Sequence, residues 1–456
     1  MARITLHSCF LVFAQLIATL ALAPPASAQA KETVLYSFQA GSDGSTPVGS
    51  IVIDKASNLY GATVYATPCS NSLQCGSVYQ LSPPQQQGGA WTETTLYNFQ
   101  GHDKGDGGSP EGGLIQDVAG NLYGTTAYGG TGLCILLGTS TGCGTVYELV
   151  RPTQPAGKWK EKVLYSFQGN QDGQFPIGDL VLDKHGNLYG ATWFGGGKGT
   201  SCNPLYPYCG TIFQLSPPRT TSKSAAWTEK VLYSFQGLDT GDGGQPNGGL
   251  LFDKAGAIYG TTFYGGSNGP NCISFDGCGI IFQLTPPANH GGTWTEGILY
   301  RFQNGTDDGA RPNGNLILFR RGIYGTTLGG GEAGTVFKLK TNGNGSWFET
   351  VLYMFQSGYA PSNPEGGLSI DRNGKILCTA GSGGPDFDGT IFQLNPGPQW
   401  ALTDLYDFQG PPTDGAFPVG KLAFDNRGNA YGVTQLGGSG QSCGFGGCGT
   451  VFQLTQ

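Results

Sequence analysis

Four oxygen-bearing side chains in this 456-residue chain share one motif position: Glu111, Asn247, Asn313 and Glu365. Each stands between a proline and a glycine. The same Pro-x-Gly position in three further copies holds Val48, Ile177 and Val419. The frame is constant and the middle residue varies. Constant positions in a repeat are scaffold, whereas a variable polar position can distinguish a ligand. Carboxylate and amide oxygens suit a hard cation such as Ca²⁺, and a sugar would use the same groups through hydrogen bonds. Glu111 with Glu365 is also a carboxylate pair, which does acid–base work only if one pKa is raised and the separation suits the substrate. A plain water-filled opening is the competing reading.

Other chemistry-bearing residues point to structure. Asp43, Asp106, Asp172, Asp242, Asp308 and Asp414 open Asp-Gly loops. Aspartate before glycine normally accepts backbone hydrogen bonds within its own turn. Gln39, Gln100, Gln168, Gln236, Gln303, Gln356 and Gln409 recur at one place and read as scaffold. His102, His185 and His290 fall in different repeats and connector types, so they do not form a site. No nucleophile elbow, His-Glu-x-x-His or phosphate loop is present. The catalytic and metal-site expectation is therefore none.

Cysteines fall in five close pairs: Cys69 with Cys75, Cys134 with Cys143, Cys202 with Cys209, Cys272 with Cys278, and Cys443 with Cys448. Each pair precedes a Gly-Thr-Val-Phe-like run. No histidine accompanies them, and a two-cysteine zinc site would lack two ligands. Five local disulfides are the expectation. Cys378 is left over inside a predicted strand and reads as a buried, inert thiol.

These positions are carried by a repeat. Leu-Tyr-x-Phe-Gln occurs seven times, with tyrosines at 36, 97, 165, 233, 300, 353 and 406. Each copy continues through a loop, Pro-x-Gly, an apolar run that ends in Asp in all but the fifth copy, a Gly-Asn-Leu-Tyr-Gly-like run, a Gly-Gly loop and a Gly-Thr-Val-Phe-like run. Every unit offers four short runs of β-branched and aromatic residues between Gly, Pro, Asn and Asp. No long amphipathic helix pattern appears. Four strands in each of seven units predict an all-β, seven-bladed β-propeller of four-stranded antiparallel blades.

The repeat phase predicts how the ring closes. Six tryptophans (Trp91, Trp159, Trp227, Trp294, Trp347 and Trp400) precede a Leu-Tyr strand, and only the first copy lacks one. Residues 32–39 are therefore expected to be the outer strand of the last blade, paired with 450–454. Closure removes two open sheet edges. The Asp-Gly loops and cysteine loops should open on one face, around a channel mouth.

Composition narrows the partners. Glycine supplies 80 residues, while charged and aromatic residues each make up 12%. Disordered chains are usually charge-rich and aromatic-poor. The net charge of −7 argues against nucleic acid, whose phosphates need a basic face. The first 30 residues read as a secretory signal. A basic start leads to an apolar run from Cys9 to Ala23, then small-residue sites that place cleavage after Ala28 or Ala30. Residues 31–456 then form one repeat domain without a membrane span, secreted or periplasmic.

Together, these motifs resemble the bacterial GloVer tandem-repeat family. The likeness covers about residues 32–456. It implies export and a propeller-like repeat, and the family has no established activity. Its members are named for carboxy-terminal anchors, and none is visible before Gln456. The Pro-x-Gly and Gly-Asn-Leu-Tyr pieces are also similar, at fold level, to NHL and gluconolactonase-type propellers.

The leading functional expectation is an exported, non-enzymatic protein. It would bind an extracellular carbohydrate or protein on its loop-rich, disulfide-braced face. One alternative is a secreted lactonase, glycan hydrolase or lyase using the channel-mouth carboxylates with calcium. Another is a structural envelope protein.

Overall fold

The computed structural model describes residues 30–455, apart from 67–74, 87, 137, 155–156, 199–208, 221–224, 267–268, 270, 273–276, 290, 357–361 and 398–399. The signal segment, His290, Cys69 and Cys202 lie outside the described residues.

Seven four-stranded antiparallel sheets form a ring of blades. Blade I runs outward through Ser45–Ile53, Leu59–Tyr65, Ser77–Ser82 and Thr92–Asn98. Blade II has Ile115–Gln116, Leu122–Thr126, Thr145–Val150 and Lys160–Ser166. Blades III, IV and V begin at Gln174–Leu182, Gly243–Phe252 and Ala310–Phe319. Their outer strands are Thr228–Ser234, Thr295–Arg301 and Trp347–Met354. Blade VI runs from Leu368–Ile370 to Ala401–Asp407. Blade VII has Gly415–Phe424, Ala430–Gly437 and Thr450–Thr455, with Lys31–Ser37 as its outer strand. That amino-terminal strand pairs with Thr450–Thr455 and closes the ring, as the tryptophan phase predicts.

Each blade joins the next through aromatic side chains. The phenylalanine of every Leu-Tyr-x-Phe strand meets a ring on the third strand of the following blade. The seven pairs are Phe38–Tyr79, Phe99–Tyr147, Phe167–Phe213, Phe235–Phe282, Phe302–Phe337, Phe355–Phe392 and Phe408–Phe452. All are edge-to-face, for example 4.9 Å between the Phe99 and Tyr147 centroids. Each adds about 0.5–1.5 kcal/mol beyond its buried area.

The tryptophans make a second joint. Trp91 packs on Tyr431, Trp159 on Tyr60 and Trp400 on Tyr324. The blade VII outer strand has no such tryptophan. There Ala30 packs in a cluster with Leu377, which stands in blade VI where other blades have the tyrosine. The missing donor and the missing acceptor thus meet at the same joint.

The loop aspartates hold the strand ends, as read from the sequence. Asp106 accepts from the Tyr97 hydroxyl at 2.8 Å and the Gln100 backbone N–H at 2.8 Å. Asp43, Asp172, Asp242 and Asp414 repeat both contacts. Near them stands a glutamate from the outer strand of the following blade. Glu32, Glu161, Glu229, Glu296 and Glu349 are half-buried, and each has a buried Oε1 without a hydrogen-bond partner. Desolvation, reinforced by the neighbouring aspartate, pushes Glu161, Glu229 and Glu296 up to about 7. The same causes push Glu32 and Glu349 up to about 8.

On the axis the seven inner strands approach closely at the glycine of Pro-x-Gly. A Cβ on Gly49 would lie 2.3 Å from Gly113 N, one on Gly178 2.4 Å from Gly248 O, and one on Gly420 2.2 Å from Gly49 O. Gly248 also has φ +83 and would meet Gly314 O at 2.3 Å. By contrast Gly256, on a hairpin, has φ +85 with open space around it.

Gly256→Ala should cost about 1–2 kcal/mol from backbone strain alone, whereas Gly248→Ala should cost more than about 3 kcal/mol because backbone must also move. Paired denaturant titrations read the difference. The five glutamates hold protons in the folded state that the unfolded chain releases at its lower carboxylate pKa. Their contribution to stability should therefore be fully present below about pH 4.5 and should be lost as pH rises to about 8. Replacing Glu32 and Glu349 by Gln should reduce that loss, as read by melting temperature against pH.

Candidate binding site on the propeller axis

The seven Pro-x-Gly positions come together. Val48, Glu111, Ile177, Asn247, Asn313, Glu365 and Val419 all line one axial cavity of about 270 Å³. They follow one another around the ring in chain order, because each blade's glycine abuts the next. Asn247 and Asn313 are neighbours, and the Asn247 Nδ2 donates to Asn313 Oδ1 at 2.6 Å. The two glutamates are not neighbours. On the short way round, Val419 and Val48 stand between Glu365 and Glu111.

Both glutamates sit on irregular backbone. Pro110-Glu111-Gly112-Gly113 and Pro364-Glu365-Gly366-Gly367 are not strand, whereas the other five positions lie within their inner strands. Glu111 and Glu365 are accordingly exposed to the channel. Water reaches them along the axis, yet the channel walls remove part of their hydration. That desolvation lifts both carboxyls above their ordinary range, and a hydrogen bond from Ser109 Oγ (3.3 Å) opposes it at Glu111.

Sequence reasoning missed three features of this site. The first is a polar floor formed by the residue after the glycine. Asp179 of blade III accepts from Ser50 Oγ (2.8 Å, blade I), from the Gly113 N–H (2.7 Å, blade II) and from Asn315 Nδ2 (3.0 Å, blade V). Lys421 of blade VII places its ammonium 3.5 Å from the same carboxylate. Asn315 Oδ1 in turn accepts from the Gly249 N–H of blade IV. One carboxylate thus ties blades across the axis and closes it. The repeat alignment offered a signal: this position also varies, as Ser50, Gly113, Asp179, Gly249, Asn315, Gly367 and Lys421.

The second is Trp193, at the end of the second strand of blade III. It lines the cavity, and its buried indole N–H has no acceptor. Phe194 packs beside it at 5.2 Å, and Phe175 joins Phe194 to Tyr128.

The third is backbone strain at the rim. The residue before each Pro-x-Gly proline lies in the left-handed region: Thr46, Ser109, Phe175, Gln245, Arg311, Asn363 and Phe417 have φ from 53 to 57. Such a conformation is costly for a non-glycine residue and is not the extended form usual before proline. Five of these N–H groups donate to the carbonyl of the preceding blade's second cysteine. The distances run from 2.7 Å (Arg311 to Cys278) to 3.3 Å (Ser109 to Cys75). Asn363 and Phe417 use Ala333 and Asp388 instead.

Disulfides brace those loops. Cys134–Cys143, Cys272–Cys278 and Cys443–Cys448 are bonded. Cys75 and Cys209 are also disulfide-bonded, and the partners read for them, Cys69 and Cys202, lie outside the described residues. Cys378 is free and fully buried, and burial pushes its thiol up. His102 bonds Gly130 O and Ser140 Oγ within blade II, and His185 is exposed on a hairpin. Among the described residues no three His, Cys, Asp or Glu side chains gather as a metal site. No helix among them is long and apolar enough to cross a membrane.

Comparison with known proteins places the repeat. The profile of the Gloeobacter/Verrucomicrobia repeat matches residues 25–269. No curated protein matches the chain in sequence. Among solved structures, a periplasmic gluconolactonase of Pseudomonas aeruginosa is similar at 11% identity and TM-score 0.44, over 77% of this chain and 82% of that one. The PQQ domain of a pyranose dehydrogenase from Coprinopsis cinerea is similar at 10% identity and TM-score 0.43, over 94% and 96%. A protein of unknown function from Dyadobacter fermentans is similar at 10% identity and TM-score 0.42, over 94% and 99%.

The floor generates a prediction. Asp179→Ala would strand the Ser50, Gly113 and Asn315 donors and leave Lys421 unpaired. The expected loss is about 2–4 kcal/mol, read by denaturant unfolding. Asp179→Asn, which keeps the shape, should lose less.

Proposed function

The chain belongs to the Gloeobacter/Verrucomicrobia repeat family, and from that premise we propose that it is an exported, non-enzymatic protein that binds an extracellular carbohydrate in its axial cavity. The observation that carries this reading is the convergence of the seven variable Pro-x-Gly residues on one cavity. Scaffold positions of the repeat are constant, so variation collected at one concave place is where selectivity can reside. The lining suits a sugar. Trp193 offers an aromatic wall, while Glu111, Asn247, Asn313 and Glu365 offer acceptors and donors for hydroxyl groups. A protein surface would need a larger and flatter patch. The disulfide-bonded loops fit an oxidising, extracellular setting, and the amino-terminal signal supplies the route.

A thermal-shift screen of the oxidised mature protein tests the reading. The panel is oligosaccharides from plant and microbial walls, each with calcium and with chelator. A ligand at 100 times its Kd should add about 2.7 kcal/mol of stability. The expected result is a selective upward shift that weakens in Trp193→Ala and Glu111→Gln. No shift with any sugar would overturn the carbohydrate reading. Product formation lost in Glu111→Gln or Glu365→Gln would overturn the non-enzymatic part.

A further inference from the structure

The cavity is a pocket with a floor. Asp179 receives donors from blades I, II and V and an ammonium from blade VII. Around this floor the glycine backbones of adjacent blades lie within the reach of a single Cβ, so no gap opens between neighbouring strands. A polymer cannot thread such an axis. It can enter only by its end, and a volume of about 270 Å³ holds about one sugar ring.

The charge in the pocket has one sign. Glu111 and Glu365 enter from blades II and VI on irregular backbone. Neither carboxylate has an ion-pair partner among the described residues. The two cations that flank Pro-x-Gly motifs in the sequence are engaged elsewhere. Lys421 is turned to Asp179 in the floor, and Arg311 at the rim lies over the Phe263 ring at 5.9 Å. Trp193 adds an aromatic surface, which attracts a cation through its ring face. Partly desolvated, unpaired carboxylates gain most from a ligand that brings positive charge, and they repel a uronic acid.

Resting on the carbohydrate reading above, we infer that the pocket recognises the terminal ring of a glycan chain and that this ring carries a free amine. The ammonium would lie between Glu111 and Glu365, and the ring would face Trp193. Anionic wall polymers and fully N-acetylated chains are then poor ligands. So are chains whose only amines are internal.

Isothermal titration at mildly acidic pH tests this, with the sugar amine protonated. The probes are glucosamine oligomers from dimer to hexamer, their N-acetylated counterparts, and oligomers with a single free amine placed at the non-reducing end, at the reducing end or internally. The expected result is binding at least about tenfold tighter for glucosamine oligomers than for acetylated ones, the worth of one charge-assisted hydrogen bond. Affinity should be flat beyond the trimer, and a single amine at one chain end should retain it. Glu111→Gln and Glu365→Gln, each checked for an unchanged melting profile, should lose that preference. Equal affinity for both series would overturn the inference and leave the carbohydrate reading standing. So would affinity that rises steadily with length. Absence of binding by every sugar would overturn both.

Discussion

Seven inner strands can meet around this axis only where they carry no Cβ. At Gly49, Gly178, Gly248 and Gly420 a single added carbon would fall within 2.2–2.4 Å of a neighbouring blade's backbone. The glycine ring sets the radius of the propeller at its narrowest level. It fixes the flanking proline at one height and the following residue at another. The variable residue of Pro-x-Gly therefore always opens into the cavity, while Ser50, Gly113, Asp179, Gly249, Asn315 and Lys421, each next after the glycine, make the floor. One steric constraint thus produces two concentric layers with different roles.

The joints between blades are made elsewhere and from different atoms. Edge-to-face rings and the tryptophan–tyrosine contacts lie well out from the axis, and each is local to one pair of adjacent blades. Because they carry the packing, the cavity residues are free to differ: valine in blade I, glutamate in blade II, asparagine in blade IV. The rim is less free. A left-handed residue before each proline is held by a hydrogen bond to the preceding blade, mostly at a disulfide-bonded cysteine. The disulfides therefore do more than shorten their own loops. They fix the acceptor that keeps the next blade's rim in a conformation it would not otherwise adopt.

Electrostatics divides along the same lines. Outer-strand glutamates are raised by burial beside loop aspartates. They belong to the blade joints, and their titration couples stability to pH. Glu111 and Glu365 are raised by the channel walls and face solvent. They belong to the cavity. The two groups look alike in sequence, as glutamates beside repeated motifs, but burial gives them different work.

The sequence by itself determined whatever repeats. Strand alternation, the seven Leu-Tyr-x-Phe-Gln copies, ring closure by residues 32–39 and the shared position of Glu111, Asn247, Asn313 and Glu365 all follow from one periodic pattern. Repeated contacts join a residue to its own blade or to the next, so periodicity encodes them. Tertiary structure alone decided what crosses the axis. Asp179 bonds Ser50 across 129 residues and Asn315 across 136. No repeat contains that contact, because it joins three blades whose residues at this position differ. The same holds for Trp193, which reaches the cavity from a strand position filled elsewhere by Val64, Ala127, Phe263, Leu328, Gly381 or Gln435. Symmetry made the ring legible, and departures from symmetry, visible only once the blades surround a common axis, made it a pocket.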